Sequence, residues 1–329
     1  MSAPSVTIVG AGAIGGWLAW LLDRAGWDVR LLTRGAALAA IRDHGLRIEA
    51  AGETAAVRAR VSDDPAELGP SDYLVIALKG QQLPPLAASL GPLLGPQTAV
   101  VTAMNGLQWW FTEKLAGPLE NSVLERVDPG GALRRLIPVN RVIGAVVHAT
   151  AEAPEPGRVR LIAADKLIFG EPDGRPSDRL AHLAAACRRA DVTVEESANI
   201  RLAIWRKLWG NMSLNPVSAL TRATTGALLD DPLTRDLVAA MMGEMTALGE
   251  RLGLPMGMSV EDRMAVTARL GDFKTSMLRD LEAGRPLELA PLLGVLVEMA
   301  ERLDQPAPHL RAVYALARRL DRSLHAAIN

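Results

Sequence analysis

Val6-Thr7-Ile8-Val9-Gly10-Ala11-Gly12-Ala13-Ile14-Gly15-Gly16 is a short, mostly apolar run that enters a Gly-x-Gly-x-x-Gly motif near the start of the chain. A helical pattern follows through Ala25, and Gly26 and Asp28 lead into a second apolar run at 29–32. Strand, glycine turn, helix and strand in this order make a βαβ unit, the opening of a doubly wound sheet of Rossmann type. In such a turn Gly10 permits the tight bend, Gly12 lets the backbone approach a pyrophosphate, and Gly15 allows the helix to pack closely on the strand. The helix N-terminus then faces the phosphates of a dinucleotide.

Further strand-like runs at 73–78, 99–103, 142–147 and 167–169 alternate with Pro- and Gly-punctuated segments, as a mostly parallel sheet requires. A helix is expected at 178–189 and a last strand at 192–194. From about Ser197 the pattern becomes long and amphipathic with helical period. The expected organisation is therefore an α/β nucleotide-binding domain at 1–196 and an all-α domain at 197–329. Breaks between its helices are expected at Asn215-Pro216, Asp231-Pro232, 253–257, Gly284-Arg285-Pro286 and 305–308.

Composition narrows the partners. A net charge of −1 lacks the positive field that nucleic-acid or anionic-membrane binding requires, so a small molecule is favoured. The longest uncharged stretch, 80–112, is broken by Pro84, Pro85, Pro92 and Pro96 and is a poor membrane span. Cys187 is the single cysteine, which excludes an internal disulfide and a cysteine metal site. With a strand pattern at the N-terminus in place of a signal segment, the expected compartment is the cytoplasm. No metal constellation is legible. For apolar, methionine-bearing stretches such as 238–245 core packing is the more common explanation, with a homodimer face as the alternative.

At the end of the second strand an NAD site carries Asp or Glu to bind the ribose hydroxyl; here the chain reads Leu32-Thr33-Arg34. A guanidinium without an acid suits the 2′-phosphate of NADP, so NADPH is the expected cofactor. Two further strands run into Lys79 and into Asn105-Gly106. Ligands bind outside the carboxyl ends of such strands, which makes Lys79 and Asn105 candidates for the cofactor or substrate.

In the helical part, Lys207, Asn211 and Asn215 stand at i, i+4 and i+8, along one helix face with a drift of about 40° per step. Reduction of a ketone needs a hydride from the cofactor and a proton at the oxygen. The five histidines, His44, His148, His182, His309 and His325, sit in no legible acid-pair motif. A lysine whose pKa is lowered by burial can supply the proton, and Lys207 is the candidate. Downstream, Pro286 is suited to start a helix with Glu288 in its first turn, where the dipole favours a carboxylate. On those grounds alone Glu288 is a helix-start acid and Ser276 a helix-face serine.

Taken together, Gly10 to Gly15, Leu78-Lys79, Asn105-Gly106-Leu107, Lys207 with Asn211 and Asn215-Pro216, and Ser276-Met277-Leu278 with Glu288 resemble the 2-dehydropantoate 2-reductase (ketopantoate reductase) family over nearly the whole chain. The resemblance implies NADPH-dependent reduction of a small 2-keto acid, 2-dehydropantoate to pantoate in pantothenate biosynthesis. It makes Lys207 the general acid and has Glu288 hold the substrate, with Asn211, Asn215 and Ser276 as further substrate contacts. Arg34, Lys79 and Asn105 fall at positions serving the cofactor and active site. Thr225 and Ala290 depart from the familiar pattern, where asparagine and aspartate are often found, and bear on the substrate's identity. Competing expectations are a reductase of a different 2-keto acid and a non-catalytic NADPH-binding sensor. A β-hydroxyacid dehydrogenase usually shows Lys-x-x-Asn-Asn, which the Lys207-x-x-x-Asn211 spacing does not match.

Overall fold

The computed structural model describes residues 3–50 and 52–326. The chain divides into two compact units, 1–104 with 132–203, and 105–131 with 204–329.

The first unit is built on β1 (Ser5–Val9), β2 (Asp28–Leu32), β3 (Leu46–Ala50), β4 (Glu53–Val57), β5 (Arg60–Ser62), β6 (Ser71–Ile76), β7 (Leu94–Thr102), β8 (Val142–Glu155), β9 (Arg158–Gly170) and β10 (Val194–Glu196). They form one sheet in the order β4-β3-β9-β8-β7-β6-β1-β2-β5, with β10 also on β9. From β5 to β8 every neighbouring pair is parallel, and β8 and β9 form a long antiparallel hairpin. The connections include α1 (Ala13–Arg24), α2 (Gly35–His44), the short α3 (Pro65–Leu68) and α4 (Ala132–Leu136), and α5 (Asp178–Arg189). Central strands are buried on both faces, so β1 and β6 read as nearly continuous apolar runs. Trp17, Leu21 and Leu22 of α1 pack into this core with Val6, Ile8 and Val29.

Strands β3, β4 and β5 carry no signal in the sequence reading. They are three to five residues long with exposed polar positions, and β3 is bound to its neighbour by side chains far away in sequence. The Glu49 carboxylate accepts from Arg158 Nε at 2.6 Å and Arg160 Nε at 2.8 Å. These guanidinia hold its carboxyl below the usual range. The last strand begins at Val194, two residues later than expected, because Val192 N–H returns to the carbonyl of Cys187 and closes the end of α5.

The second unit contains α6 (Ile200–Thr221) from Ile204 onward, α7 (Thr225–Asp230), α8 (Pro232–Arg251), α9 (Val260–Arg269), α10 (Ser276–Glu282), α11 (Val295–Arg302) and α12 (Pro308–Ala326). The expected boundary at 196 is a single crossing, whereas 105–131 packs with the helices. Phe111 stacks on Trp205 with ring centroids 6.0 Å apart. The Glu298 carboxylate accepts from the backbone N–H groups of Glu125 and Arg126 at 2.8 and 2.9 Å.

One further expectation is corrected here. No break occurs at Asn215-Pro216: α6 runs through Pro216 to Thr221. Every residue from Met212 to Ala219 is buried, and that packing offsets the roughly 3 kcal/mol that an interior proline costs. In residues 238–245, Val238, Met241, Met242 and Met245 are fully buried, as core packing of this stretch requires. Among the described residues no helix is long and apolar enough to cross a membrane.

Candidate active site

In the first unit the glycine motif has the geometry its spacing demands. Gly10 adopts φ +100°, a left-handed conformation that L side chains rarely take, and its N–H donates to the carbonyl of Leu32 at 3.0 Å. A methyl on Gly15 would collide with the carbonyl oxygen of Gly10, so α1 can lie this close to β1 only with glycine there. Gly12 caps the N-terminus of α1, and nothing lies within 4 Å of where its Cβ would be. The first turn of α1 carries no acidic side chain. An open, positively polarised helix end fits a pyrophosphate.

Arg34 is exposed at the N-cap of α2, two residues beyond the end of β2. Among the described residues its guanidinium has no carboxylate partner, which suits a phosphate on the adenosine ribose. Lys79 lies three residues past β6, where its N–H donates to Gln82 Oε1 at 3.1 Å and turns the chain at the carboxyl end of the sheet. These residues fit a phosphorylated dinucleotide.

In the second unit, Lys207 Nζ donates to Asn105 Oδ1 at 2.9 Å. The next three residues hold Asn105 in place. Gly106 sits at φ +77°, where a side chain would run into the carbonyl of Pro291, and Leu107 N–H donates to that same carbonyl at 3.0 Å. Gln108 Nε2 donates to the carbonyl of Gly106 at 2.9 Å and buttresses the turn. The Asn105 segment is thus clamped to the chain just beyond Glu288.

Glu288 does not occupy the first turn of a helix begun by Pro286. Residues 285–289 have neither helical nor strand pairing, and a π-helical turn, Ala290–Gly294, precedes α11. Gly294 donates to the carbonyl of Leu289 at 2.9 Å, the five-residue closure of a π turn, Leu293 donates to the same carbonyl at 2.9 Å, and Pro291 takes the helix-start position. Such turns recur at functional sites because they displace one residue from the helical register. Glu288 is only 9% exposed.

Burial pushes the Lys207 ammonium down to about 8, while the negative charge of Glu288 pulls the other way. Asn211 and Asn215 continue the same helix face; Asn215 is 7% exposed, and among the described residues its side chain makes no hydrogen bond. A carbonyl oxygen presented to this row would meet an ammonium poised to release its proton and amides able to orient a carboxylate.

Ser276 is exposed at the first position of α10, after the N-cap Thr275, and no hydrogen bond joins it to the lysine row. Thr225 is buried and spends its hydroxyl locally, near the carbonyls of Gly271 and Phe273 at 3.4 and 3.3 Å, while accepting from Phe273 N–H at 3.2 Å. Ala290 opens the π turn. Sequence reasoning missed the clamp between Gly106 and Pro291, of which the Asn-Gly turn signal at 105–106 was the only local trace. It also missed an acid-histidine contact: His309 Nδ1 lies 2.6 Å from Glu244 Oε1, 65 residues away. Among the described residues no group of His, Cys, Asp and Glu could hold a metal ion.

The model of the ketopantoate reductase family PanE/ApbA matches residues 6–174, and that of its C-terminal domain matches 199–321. A 2-dehydropantoate 2-reductase from Mesorhizobium japonicum is 44% identical over 316 residues, covering 96% of this chain and 97% of that protein. A solved structure from Ralstonia solanacearum MolK2, provisionally described as a ketopantoate reductase, is 42% identical with a TM-score of 0.94, covering 98% of this chain and 99% of its own. A D-mandelate dehydrogenase solved with NADH and anilino(oxo)acetate is similar in fold, with a TM-score of 0.82 at 18% identity, covering 98% of this chain and 99% of its own.

Proposed function

The chain belongs to the ketopantoate reductase family, oxidoreductases acting on a CH–OH group, and on that premise we propose that it reduces 2-dehydropantoate to pantoate with NADPH, in the cytoplasm, as a step of pantothenate biosynthesis. The observation that carries the mechanism is Lys207, held by Asn105 and lowered by burial to about 8 beside the charge of Glu288.

The residues act as follows. Gly10, Gly12 and Gly15 hold the dinucleotide's pyrophosphate at the N-terminus of α1, Arg34 pairs with the 2′-phosphate, and Lys79 closes the same end of the sheet. When bound, the nicotinamide supplies a hydride to the carbonyl carbon of the substrate. Lys207 donates its proton to the carbonyl oxygen, so that C=O becomes CH–OH and the lysine is left neutral until solvent reprotonates it. Asn105 fixes the ammonium. Asn211, Asn215 and Ser276 orient the substrate's carboxylate and carbonyl, and Glu288 accepts a hydrogen bond from its hydroxyl.

Loss of NADPH absorbance on adding 2-dehydropantoate to the purified protein tests the reading. Turnover with this substrate and none with buffer is expected. A folded protein that binds NADPH and turns over no 2-keto acid would support a sensor instead. The second enzymatic reading, a different 2-keto acid, draws on Thr225, whose hydroxyl is engaged by its own neighbourhood. Better turnover of another 2-keto acid would favour it.

A further inference from the structure

Glu288 stands in a stretch without regular pairing, yet a substrate needs its carboxylate in a fixed orientation. Two side chains from one face of α12 meet that stretch and the π turn that follows it. Asp321 Oδ1 accepts from the backbone N–H of Leu287 at 2.9 Å, one residue before Glu288. Tyr314, seven residues earlier and so about two helical turns away on the same face, lays its hydroxyl against Gly294. A Cβ on Gly294 would lie 2.5 Å from that hydroxyl oxygen.

The helix that presents both is itself fixed at its start. Glu244 accepts from the N–H groups of His309 and Leu310, each at 2.9 Å, and contacts the His309 ring. Leu287 is buried, so its N–H needs a partner inside the protein, and a carboxylate makes a strong one.

We propose that Asp321 is a positioning residue for Glu288: from α12 it fixes the backbone at Leu287 and thereby the carboxylate that receives the substrate's hydroxyl. This rests on the ketopantoate reading for the identity of that substrate. A misplacement of about 1 Å at a substrate contact is enough to lose up to roughly 100-fold in efficiency. Because Asp321 acts on the backbone beside Glu288, while Lys207 is held by Asn105, its loss should fall on substrate binding more than on proton transfer.

The test compares Asp321→Ala with Asp321→Asn, which keeps an oxygen able to accept from Leu287. For ketopantoate, Asp321→Ala should raise KM about tenfold with kcat changed less than about threefold, and Asp321→Asn should recover most of the loss. The unhydroxylated analogue 2-ketoisovalerate should show no such change. In parallel, hydrogen exchange at the Leu287 and Glu288 amides should accelerate in Asp321→Ala and not in Asp321→Asn. Should Asp321→Ala not fold, Asp321→Glu, which shifts the carboxylate by one methylene, should raise KM for ketopantoate alone. Equal losses on both substrates, or unchanged exchange at Leu287, would overturn the proposal. If the wild-type protein does not prefer ketopantoate, the substrate reading fails, and the exchange measurement still decides the role of Asp321.

Discussion

Lys207 and Asn105 are 102 residues apart in the chain and joined by a hydrogen bond of 2.9 Å from the ammonium to the amide oxygen. The bond holds the ammonium in place, which is what a general acid requires. Lys207→Ala should lower turnover by roughly 100-fold or more while NADPH binding, followed by fluorescence, is retained. Lys207→Arg should not restore it, since guanidinium holds its proton too tightly. Near-normal turnover in a folded Lys207→Ala protein would remove lysine from the mechanism.

The same lysine sets a pH dependence. Its proton-bearing form is the active one, so kcat/KM should be level below about 8 and fall above it. The charge of Glu288 raises this pKa, hence Glu288→Gln should move the alkaline limb to lower pH. An unmoved limb would show that the two groups do not communicate.

Arg34 is exposed and, among the described residues, has no carboxylate ion-pair partner. Charge-assisted bonds to the 2′-phosphate are worth about 1.5–3 kcal/mol, so Arg34→Ala should raise KM for NADPH by roughly 10- to 100-fold. KM for NADH should change little. Equal effects on the two cofactors would leave Arg34 a structural cap of α2.

Glu288→Ala should damage reduction of ketopantoate while sparing that of 2-ketoisovalerate. A buried carboxylate placed to accept from a hydroxyl rewards a substrate that brings one. Were the wild-type enzyme to reduce 2-ketoisovalerate better, the substrate assignment would fall and the reductase assignment would stand.

Gly106→Ala combines a left-handed φ of +77° with a collision against the Pro291 carbonyl. It should destabilise the fold by about 1–3 kcal/mol in urea titration and loosen Asn105 from Lys207. Unchanged stability and activity would mean that the turn relaxes freely and is no clamp.

The sequence by itself determined the elements whose causes are local. The glycine turn from Gly10 to Gly15 follows from spacing, because each glycine answers a steric demand of its immediate neighbours. Helix α5 lies at the residues its amphipathic period marks, with Ser177 as a side-chain cap. The Lys207, Asn211 and Asn215 row is a consequence of helical geometry alone. Tertiary structure decided the rest. Strand β3 is held by pairing with β4 and β9 and by burial of Leu46 and Ile48, with Glu49 meeting Arg158 and Arg160, and α6 passes Pro216 because its surroundings bury that turn of the helix. Glu288 left the helix that Pro286 was expected to begin because the carbonyl of Leu289 closes a π turn further on. The lowered pKa of Lys207 arises from burial, set against a carboxylate 81 positions further along the chain. Burial and charge are properties of what surrounds a group in space, and no window along the sequence contains them.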